Sequence, residues 1–276
     1  MLLTRVITAL VLFAVLLVAV SLGNHVLSAA MAAALGIVLF EWLLMTRMRK
    51  PVAAVVSAAC GALAVCYALL DMHPEGVWFL TLELVACVVW LGLLAVAFVA
   101  RDRGFAVTDN TSYLLAALIV SATFFAMVWL IQTGGWQLML SVFMLVWLAD
   151  VCAYFAGRFF GKHKMAPAIS PKKTWEGAAG AFVSVVVCAL AAWVWLPHEM
   201  VFSSLLMQKA GFAAGILIVL LLVAISISGD LFESALKRHA GIKDSGKLLP
   251  GHGGFYDRLD SALAVFPCAT AALLVM

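Results

Sequence analysis

Nine apolar runs, each about as long as a membrane-spanning helix, constrain this chain more than any other feature of its sequence. A helix needs roughly 20 apolar residues to cross a bilayer core of about 30 Å. Apolar residues make up 66% of the chain and charged residues 11%, whereas about 25% of the residues in soluble domains are charged. The sequence therefore predicts an all-α integral membrane protein. The candidate spans are residues 6–22, 26–45, 52–70, 77–100, 113–132, 136–156, 178–196, 212–229 and 261–276.

The distribution of Lys and Arg predicts how these spans are oriented. When nine spans alternate from a cytoplasmic N-terminus, every Lys and Arg except Lys209 falls on the cytoplasmic side, as the positive-inside rule expects. We therefore expect about nine transmembrane helices with the N-terminus inside and the C-terminus outside. The chain divides into about four N-terminal helices, residues 1–112, and a transmembrane domain that carries the candidate catalytic site, residues 113–276.

Two predicted cytoplasmic segments, residues 157–177 and 230–260, are long and rich in Gly, Pro, Lys and Asp. The predicted outside connections are shorter, and long irregular segments in a compact protein tend to be functional. We therefore expect these two polar segments to form one site that faces the cytoplasm. Two acids inside apolar runs lie apart from it. Glu41 is near enough to the cytoplasmic edge to snorkel or to pair with Arg47, and Glu83 has no role that the sequence indicates.

The second polar segment begins with an acidic and basic helix face, SISGDLFESALKR at residues 226–238. Asp230 is followed by Glu233, Ser234 and Lys237 at offsets of 3, 4 and 7, which places them on one face of a helix. A solvated helix end explains this pattern as well as a functional site does.

The glycine-rich stretch that follows favours the functional interpretation. In KDSGKLLPGHGGFYDRLD, Asp257 and Asp260 are three residues apart and can converge with Asp230 where two spans reach the cytoplasm. Carboxylate oxygens suit Mg²⁺, which often bridges protein carboxylates and substrate phosphates. Glycines let backbone amides approach an anion closely. We therefore predict that these three acids bind metal. The cations expected around them are Lys237, Arg238, Lys243, Lys247 and Arg258.

His252, between two glycines, is more often a loop hydrogen-bonding residue than a general base. A phosphate nucleophile is already ionised near pH 7, so the predicted chemistry requires no base. The predicted catalytic residues are therefore Asp230, Asp257, Asp260, Lys237 and Arg258, and His252, Gly253 and Gly254 are predicted to contact substrate.

The first polar segment follows a stripe of polar residues. Asp150, Tyr154 and Arg158 are spaced by four residues along one helix face. An ionisable group in a membrane costs roughly 2.5–3.5 kcal/mol on insertion scales, so Asp150 needs a partner or a wet cavity. Beyond the stripe, hydroxyls and ammonium groups lie together, as a polyphosphate requires. These residues are Ser170, Lys172, Lys173 and Thr174. Lysines that only set topology would give the same charge pattern.

Residues 234–260, SALKRHAGIKDSGKLLPGHGGFYDRLD, resemble the signature of the phosphatidate cytidylyltransferases. The segments AYFAGRFFGK and ISPKKTWEG are similar to another recurrent segment of that family, and the resemblance covers roughly residues 148–261. The positions that match the signature are Ser234, Lys237, Arg238, Lys243, Asp244, Gly246, Pro250, His252, Gly253, Gly254, Asp257, Arg258 and Asp260.

The resemblance implies conversion of CTP and phosphatidate to CDP-diacylglycerol and pyrophosphate in the lipid bilayer of the cytoplasmic (inner) membrane. It implies Mg²⁺, with room for a second, monovalent cation such as K⁺, and a homodimer; no nucleic-acid partner is expected. Carried over residue by residue, Asp230, Asp257 and Asp260 become metal ligands, and Ser170, Lys172 and Lys173 become substrate contacts. The further predicted substrate contacts are Arg158, Thr174, Arg238, Lys243 and Lys247. The predicted supporting residues are Asp150, Tyr154, Glu233 and Asp244.

Two other functions fit parts of the pattern. A CTP-dependent polyprenol kinase would use similar polar machinery to move a γ-phosphoryl group to an alcohol. An ion or solute transporter also needs acids within the membrane, but it concentrates them near the midplane and often contains an inverted repeat. The polar groups here crowd one predicted edge, which favours the cytidylyltransferase.

Overall fold

The computed structural model describes residues 2–105 and 107–276, and the side chains of Leu2, Leu3 and Arg5 lie outside that description. This part of the chain is a bundle of long helices with one small β-hairpin. The helices are α1 (Leu2–Ser21), α2 (Asn24–Met45), α3 (Lys50–Leu69), α4 (Gly76–Val99), α5 (Asp109–Phe160), α6 (Trp175–Trp195), α7 (Phe202–Ala210), α8 (Phe212–Ala240) and α9 (Tyr256–Val275), and the strands are β1 (Lys164–Ala166) and β2 (Ser170–Thr174).

Seven helices in the described part of the chain are long and apolar enough to cross a membrane, namely α2 to α6, α8 and α9. Many of their large apolar side chains are exposed, such as Val55 and Leu63 on α3, because lipid rather than water surrounds this surface. The prediction of an all-α integral membrane protein is confirmed. The number of crossings and their orientation stay predictions, as does the division into residues 1–112 and 113–276.

Helix α5 contains 52 residues, about 78 Å at 1.5 Å per residue, which exceeds one bilayer crossing. Its regular geometry breaks at Gly134 and Gly135, where Gly135 adopts φ 71°. Glycine tolerates a positive φ because it has no Cβ. The break therefore separates two halves, which correspond to the predicted spans 113–132 and 136–156.

Polar contacts near the helix ends identify the two ends of the bundle. At one end, His25 Nδ1 lies 3.2 Å from Asp71 Oδ1, and the Asn24 side-chain amide donates to the Ile131 carbonyl. At the other end, the Tyr113 hydroxyl donates to the Thr46 carbonyl at 2.9 Å. We call this second end the polar end, because both long polar segments lie there.

Glycines allow the helices at the polar end to approach closely. A Cβ at Gly229 of α8 would lie 2.7 Å from the Asp260 carbonyl oxygen of α9. Beside it, the Ser261 hydroxyl donates to the Ser226 carbonyl at 3.1 Å. Similarly, a Cβ at Gly157 of α5 would lie 2.9 Å from the Thr174 hydroxyl. These contacts set the spacing of the helices that carry the polar residues.

The segment between α5 and α6 is a hairpin, although the sequence predicted an irregular loop. Strands β1 and β2 pair antiparallel, with Lys164 opposite Thr174. The hairpin buries Met165 and Ile169 in an apolar cluster that includes Leu231 of α8. The Thr174 hydroxyl then accepts the Gly177 amide at 3.2 Å and begins α6 as its N-cap. The hairpin therefore fixes the direction of the side chains on β2.

Candidate active site

Three acids from α8 and α9 form the centre of the candidate site. Carboxylate oxygens of Asp230, Glu233 and Asp260 lie within 4.8 Å of one another. Asp230 and Glu233 share a face of α8, and Asp260 reaches them across the close α8–α9 contact at Gly229. Three acids meet here because helical spacing aligns two of them and a glycine admits the third helix.

This acid cluster fits a divalent cation. Its donors are all oxygens, as Mg²⁺ and Ca²⁺ require, at separations comparable with twice their metal–oxygen bond lengths. Glu233 is 1% exposed, and its Oε1 has no hydrogen-bond partner among the described residues. An unpaired buried carboxylate oxygen is costly, and a bound cation would remove that cost.

Asp257 is held differently from the acid cluster. The sequence grouped it with Asp230 and Asp260, whereas the structure groups Glu233 with those two residues. Asp257 Oδ2 accepts the amides of Ser245 and Gly254 at 2.9 and 2.8 Å. It lies in the first turn of α9, where its carboxylate faces the preceding loop. Whether Asp257 binds metal stays a prediction, and its observed partners indicate that it anchors this loop.

Lys237 connects the acid cluster to Asp257. Its Nζ pairs with Glu233 one turn earlier on α8 and lies 2.8 Å from Asp257 Oδ1. All three side chains are largely buried, with exposed fractions of 13%, 1% and 8% for Lys237, Glu233 and Asp257. Buried charges require such pairing, because removing one partner leaves the others buried without a counter-ion. Lys237 is therefore a structural counter-ion for two acids.

Lys173 connects the two polar segments. From β2 its Nζ lies 2.8 Å from Asp230 Oδ2 and donates to the Ile227 carbonyl at 3.3 Å. Lys172, the preceding residue on the strand, is exposed. Alternation along β2 thus sends Lys173 towards the acid cluster and leaves Lys172 exposed in the cavity wall.

A cavity of about 460 Å³ opens at this point, between α5, β2, α6, α8 and α9. Both polar segments line it. The predicted site residues in its wall are Asp150, Tyr154, Arg158, Ser170, Lys172, Lys173, Thr174, Asp230, Asp257, Arg258 and Asp260. In the wall, Arg158 donates to the Tyr154 hydroxyl at 3.1 Å. The cavity wall therefore carries carboxylates and cations together.

Other predicted residues lie outside this wall. The exposed residues among them are Arg238, Lys243, Asp244 and Lys247, and their predicted roles stay predictions. Gly253 has φ 86°, and the Gly254 amide binds Asp257. The His252 carbonyl accepts Arg258 Nη2 at 3.0 Å. The contacts of these loop residues thus include Asp257 and Arg258, and the Leu249 backbone also bonds to His252 and Gly253. Substrate contact by His252, Gly253 and Gly254 stays a prediction.

Two glutamates at the polar end, one buried and one half-buried, make contacts that the sequence did not predict. Glu176, in the first turn of α6, accepts the amides of Lys162 and His163 at 3.1 and 3.2 Å and so ties the start of the hairpin to its end. Glu41 of α2 accepts from Ser245 and from the Tyr256 amide instead of pairing with Arg47. For Glu41, the one sequence signal of a special role was its position in an apolar run.

Comparison with known proteins identifies the family of this chain. Residues 3–276 match the model of the cytidylyltransferase family. The phosphatidate cytidylyltransferase of Haemophilus influenzae is 34% identical over 97% of this chain and 96% of its own. That of Staphylococcus haemolyticus is 33% identical over 99% of both chains. That of Pseudomonas aeruginosa is 43% identical over 49% of this chain and 47% of its own. The chain therefore belongs to the cytidylyltransferase family.

Proposed function

We propose that this protein transfers the cytidylyl group of CTP to phosphatidate, producing CDP-diacylglycerol and pyrophosphate. The observation that carries the proposal is the cavity at the polar end, where Asp230 and Asp260 of the acid cluster line the same wall as Lys173 and Arg258 at the end of a membrane-embedded bundle. A substrate dissolved in water and a substrate dissolved in lipid can meet only at such a boundary. Full-length relatives that carry this enzyme's name support the assignment.

The reaction requires positioning and charge neutralisation more than proton transfer. A phosphate oxygen of phosphatidate attacks the α-phosphorus of CTP and forms a new P–O bond. The bond from that phosphorus to the bridging oxygen breaks, and its electron pair leaves with pyrophosphate. The attacking phosphate is already ionised, so no residue has to remove a proton. In-line transfer of this kind depends on orientation and electrostatic stabilisation.

Residues of the cavity have the charges that this reaction requires. Arg158, Lys172 and Arg258 line the wall and can bind phosphate oxygens and the negative charge that develops on pyrophosphate. Asp230, Glu233 and Asp260 are the residues that would hold Mg²⁺. Such an ion would polarise the phosphates and neutralise part of their charge. We include Mg²⁺ as the cofactor, with a monovalent cation such as K⁺ as a second ion.

A neighbouring apolar cavity supports a lipid substrate. It has a volume of about 450 Å³ and lies between α4, α6 and α8. Met165, Ala178 and Ile227 line both this cavity and the polar one. The rest of its wall includes Phe98 and Phe182, and the cavity is almost entirely apolar. Acyl chains of phosphatidate can lie here while the phosphate reaches Lys173 and Arg258.

The proposal includes a location and an assembly. The concentration of Lys and Arg at the polar segments supports a site that faces the cytoplasm from the inner membrane. The resemblance of residues 148–261 to the family supports a homodimer.

The test uses the purified full-length chain with phosphatidate, Mg²⁺ and each nucleoside triphosphate in turn. With CTP, we expect label from the α-phosphate in the lipid and label from the γ-phosphate in pyrophosphate. The Asp260→Asn variant should lose this activity, whereas Glu83→Gln, which alters a buried acid of α4 outside both cavities, should keep it. In a parallel reaction with a polyprenol in place of phosphatidate, transfer of the γ-label to that alcohol without transfer of cytidine would indicate the kinase instead.

A further inference from the structure

Glu41 lies at the polar end although it belongs to α2, far from the catalytic segments in sequence. Its side chain is buried, with 4% of the residue exposed. Its Oε2 accepts the Tyr256 backbone amide at 2.8 Å and lies 3.0 Å from the Ser245 hydroxyl. These contacts join residues separated by 215 and 204 positions. Glu41 therefore connects α2 to the loop between α8 and α9 and to the start of α9.

The contact with Tyr256 serves the N-terminus of α9. Tyr256 is the first residue of that helix, and its N-cap residue, Phe255, makes no side-chain hydrogen bond. The first amides of a helix have no partner within the helix, and a nearby carboxylate stabilises them. Glu41 supplies this carboxylate from another helix.

The contact with Ser245 extends to Asp257. The Ser245 hydroxyl lies 3.0 Å from Asp257 Oδ2, the same distance as from Glu41. The Asp257 amide in turn lies 3.3 Å from the Ser245 oxygen. A short path of polar contacts thus runs from Glu41 through Ser245 to Asp257, whose other carboxylate oxygen binds Lys237.

Two glycines of the loop leave the space that the Glu41 carboxylate occupies. A Cβ built on Gly246 would overlap one carboxylate oxygen, and a Cβ built on Gly254 would overlap the other. The Gly254 amide also donates to Asp257 at 2.8 Å. The loop thus closes around the side chain of Glu41 on two sides.

The next residue, Trp42, keeps this part of α2 fixed. Its ring stacks on Tyr256, with centroids 5.1 Å apart and planes at 22°. It also packs against Phe232 of α8 at 5.5 Å, and its indole nitrogen donates to Ser112 of α5 at 2.9 Å. Contacts to three helices leave Glu41 little freedom to follow the loop if the loop moves.

We propose that Glu41 is a positioning residue, which holds residues 244–257 in place and thereby keeps Asp257 paired with Lys237, the counter-ion of Glu233 in the acid cluster. Its effect on catalysis rests on the proposed function, but its effect on the loop does not. The N-terminal helices then contribute to the active site by fixing its loop, in addition to anchoring the protein in the membrane.

The test compares Glu41→Gln and Glu41→Ala with a matched control, Glu83→Gln, which makes the same change in another buried membrane acid. Hydrogen–deuterium exchange of the detergent-solubilised full chain reports on the loop without requiring activity. Loss of one hydrogen bond to a charged acceptor corresponds to about 10- to 100-fold faster exchange. We expect this increase at residues 244–257 in Glu41→Ala, a smaller one in Glu41→Gln, and none in Glu83→Gln.

Kinetics provide the second measurement. We expect kcat to fall at least about tenfold in Glu41→Ala and less in Glu41→Gln. KM for CTP should change by less than about threefold, because the variants displace Asp257 and Lys237 but leave Arg158 and Lys172 in the cavity wall. Partial recovery in the amide variant distinguishes positioning from bulk packing. Exchange that stays at the wild-type rate in the loop, or that rises equally in all helices, would overturn the proposal.

If neither Glu41 variant folds, Ser245→Ala decides the question. It removes the hydroxyl that joins Glu41 to Asp257 and should accelerate exchange in the same segment. Unchanged exchange in that variant would overturn the proposal as well. If the wild-type protein shows no cytidylyl transfer, the proposed function fails while the exchange measurements still decide the role of Glu41.

Discussion

Replacing Gly229 by alanine should distort the acid cluster although none of the three acids is substituted. A Cβ at this position would lie 2.7 Å from the Asp260 carbonyl oxygen and 3.1 Å from the Ser261 Cα. Ordinary van der Waals contact begins near 3.4 Å, so α8 and α9 must separate by about 0.7 Å at this point. The neighbouring residue on α8 is Asp230, whose carboxylate must meet that of Asp260.

This separation is large compared with the tolerance of a metal site. Mg²⁺ requires oxygen ligands at about 2.0–2.1 Å, and a misplacement of about 1 Å can reduce catalysis by roughly 100-fold. We therefore expect Gly229→Ala to lower kcat by about 10- to 100-fold and to raise the Mg²⁺ concentration needed for half-maximal activity. Overpacking should also reduce the free energy of unfolding by about 1–3 kcal/mol.

The matched control is Gly215→Ala on the same helix. A Cβ there would meet the Met207 backbone at 2.7 Å, so the steric conflict is similar but lies at the opposite end of α8. Activity assays over a Mg²⁺ titration, together with thermal unfolding in detergent, should show comparable destabilisation in both variants. The Mg²⁺ dependence should change in Gly229→Ala alone. A wild-type Mg²⁺ dependence in Gly229→Ala would refute this reasoning.

Three further predictions concern other parts of the site. Lys237→Met should reduce the free energy of unfolding by about 3–5 kcal/mol, because it strands two buried acids; adding Glu233→Gln should recover part of this loss in thermal unfolding. Lys173→Ala should raise KM for CTP or phosphatidate in steady-state kinetics, because the cavity loses a cation and Asp230 loses its ion pair. Unchanged KM values for both substrates would indicate that this lysine only sets the topology. Ala95→Trp should fill the apolar cavity and raise KM for long-chain phosphatidate about tenfold, and an equal effect with a dihexanoyl lipid would contradict the acyl-chain assignment.

Local patterns explain how much of the fold could be predicted. Apolar runs and glycines at their ends define the long helices, because membrane insertion depends on hydropathy within one segment. The β1–β2 hairpin could not be predicted in this way, since its strands contain three and five residues and are polar at β2. It is held by burial of Met165 and Ile169 against α8, which depends on tertiary packing.

The segments that form the candidate site could be predicted, but the contacts between their side chains could not. Acids at helical offsets placed Asp230 and Glu233 on one face of α8, but the sequence does not show which side of α9 faces that helix. Asp257 and Asp260, three residues apart, therefore looked equivalent, although the first turns towards the loop and the second towards Asp230. The sequence placed Glu41 near the predicted cytoplasmic edge but could not identify its partner Ser245, which lies 204 residues away.

The division of the acid cluster between α8 and α9 has a consequence for biosynthesis. Asp260 lies on α9, and Glu41 of α2 acts on the loop just before that helix. A nascent chain that still lacks α9 cannot assemble the three carboxylates, so metal and nucleotide cannot stabilise such an intermediate by mass action. Until α9 inserts, packing between the earlier helices, including their glycine contacts, must hold them together without bound metal or nucleotide.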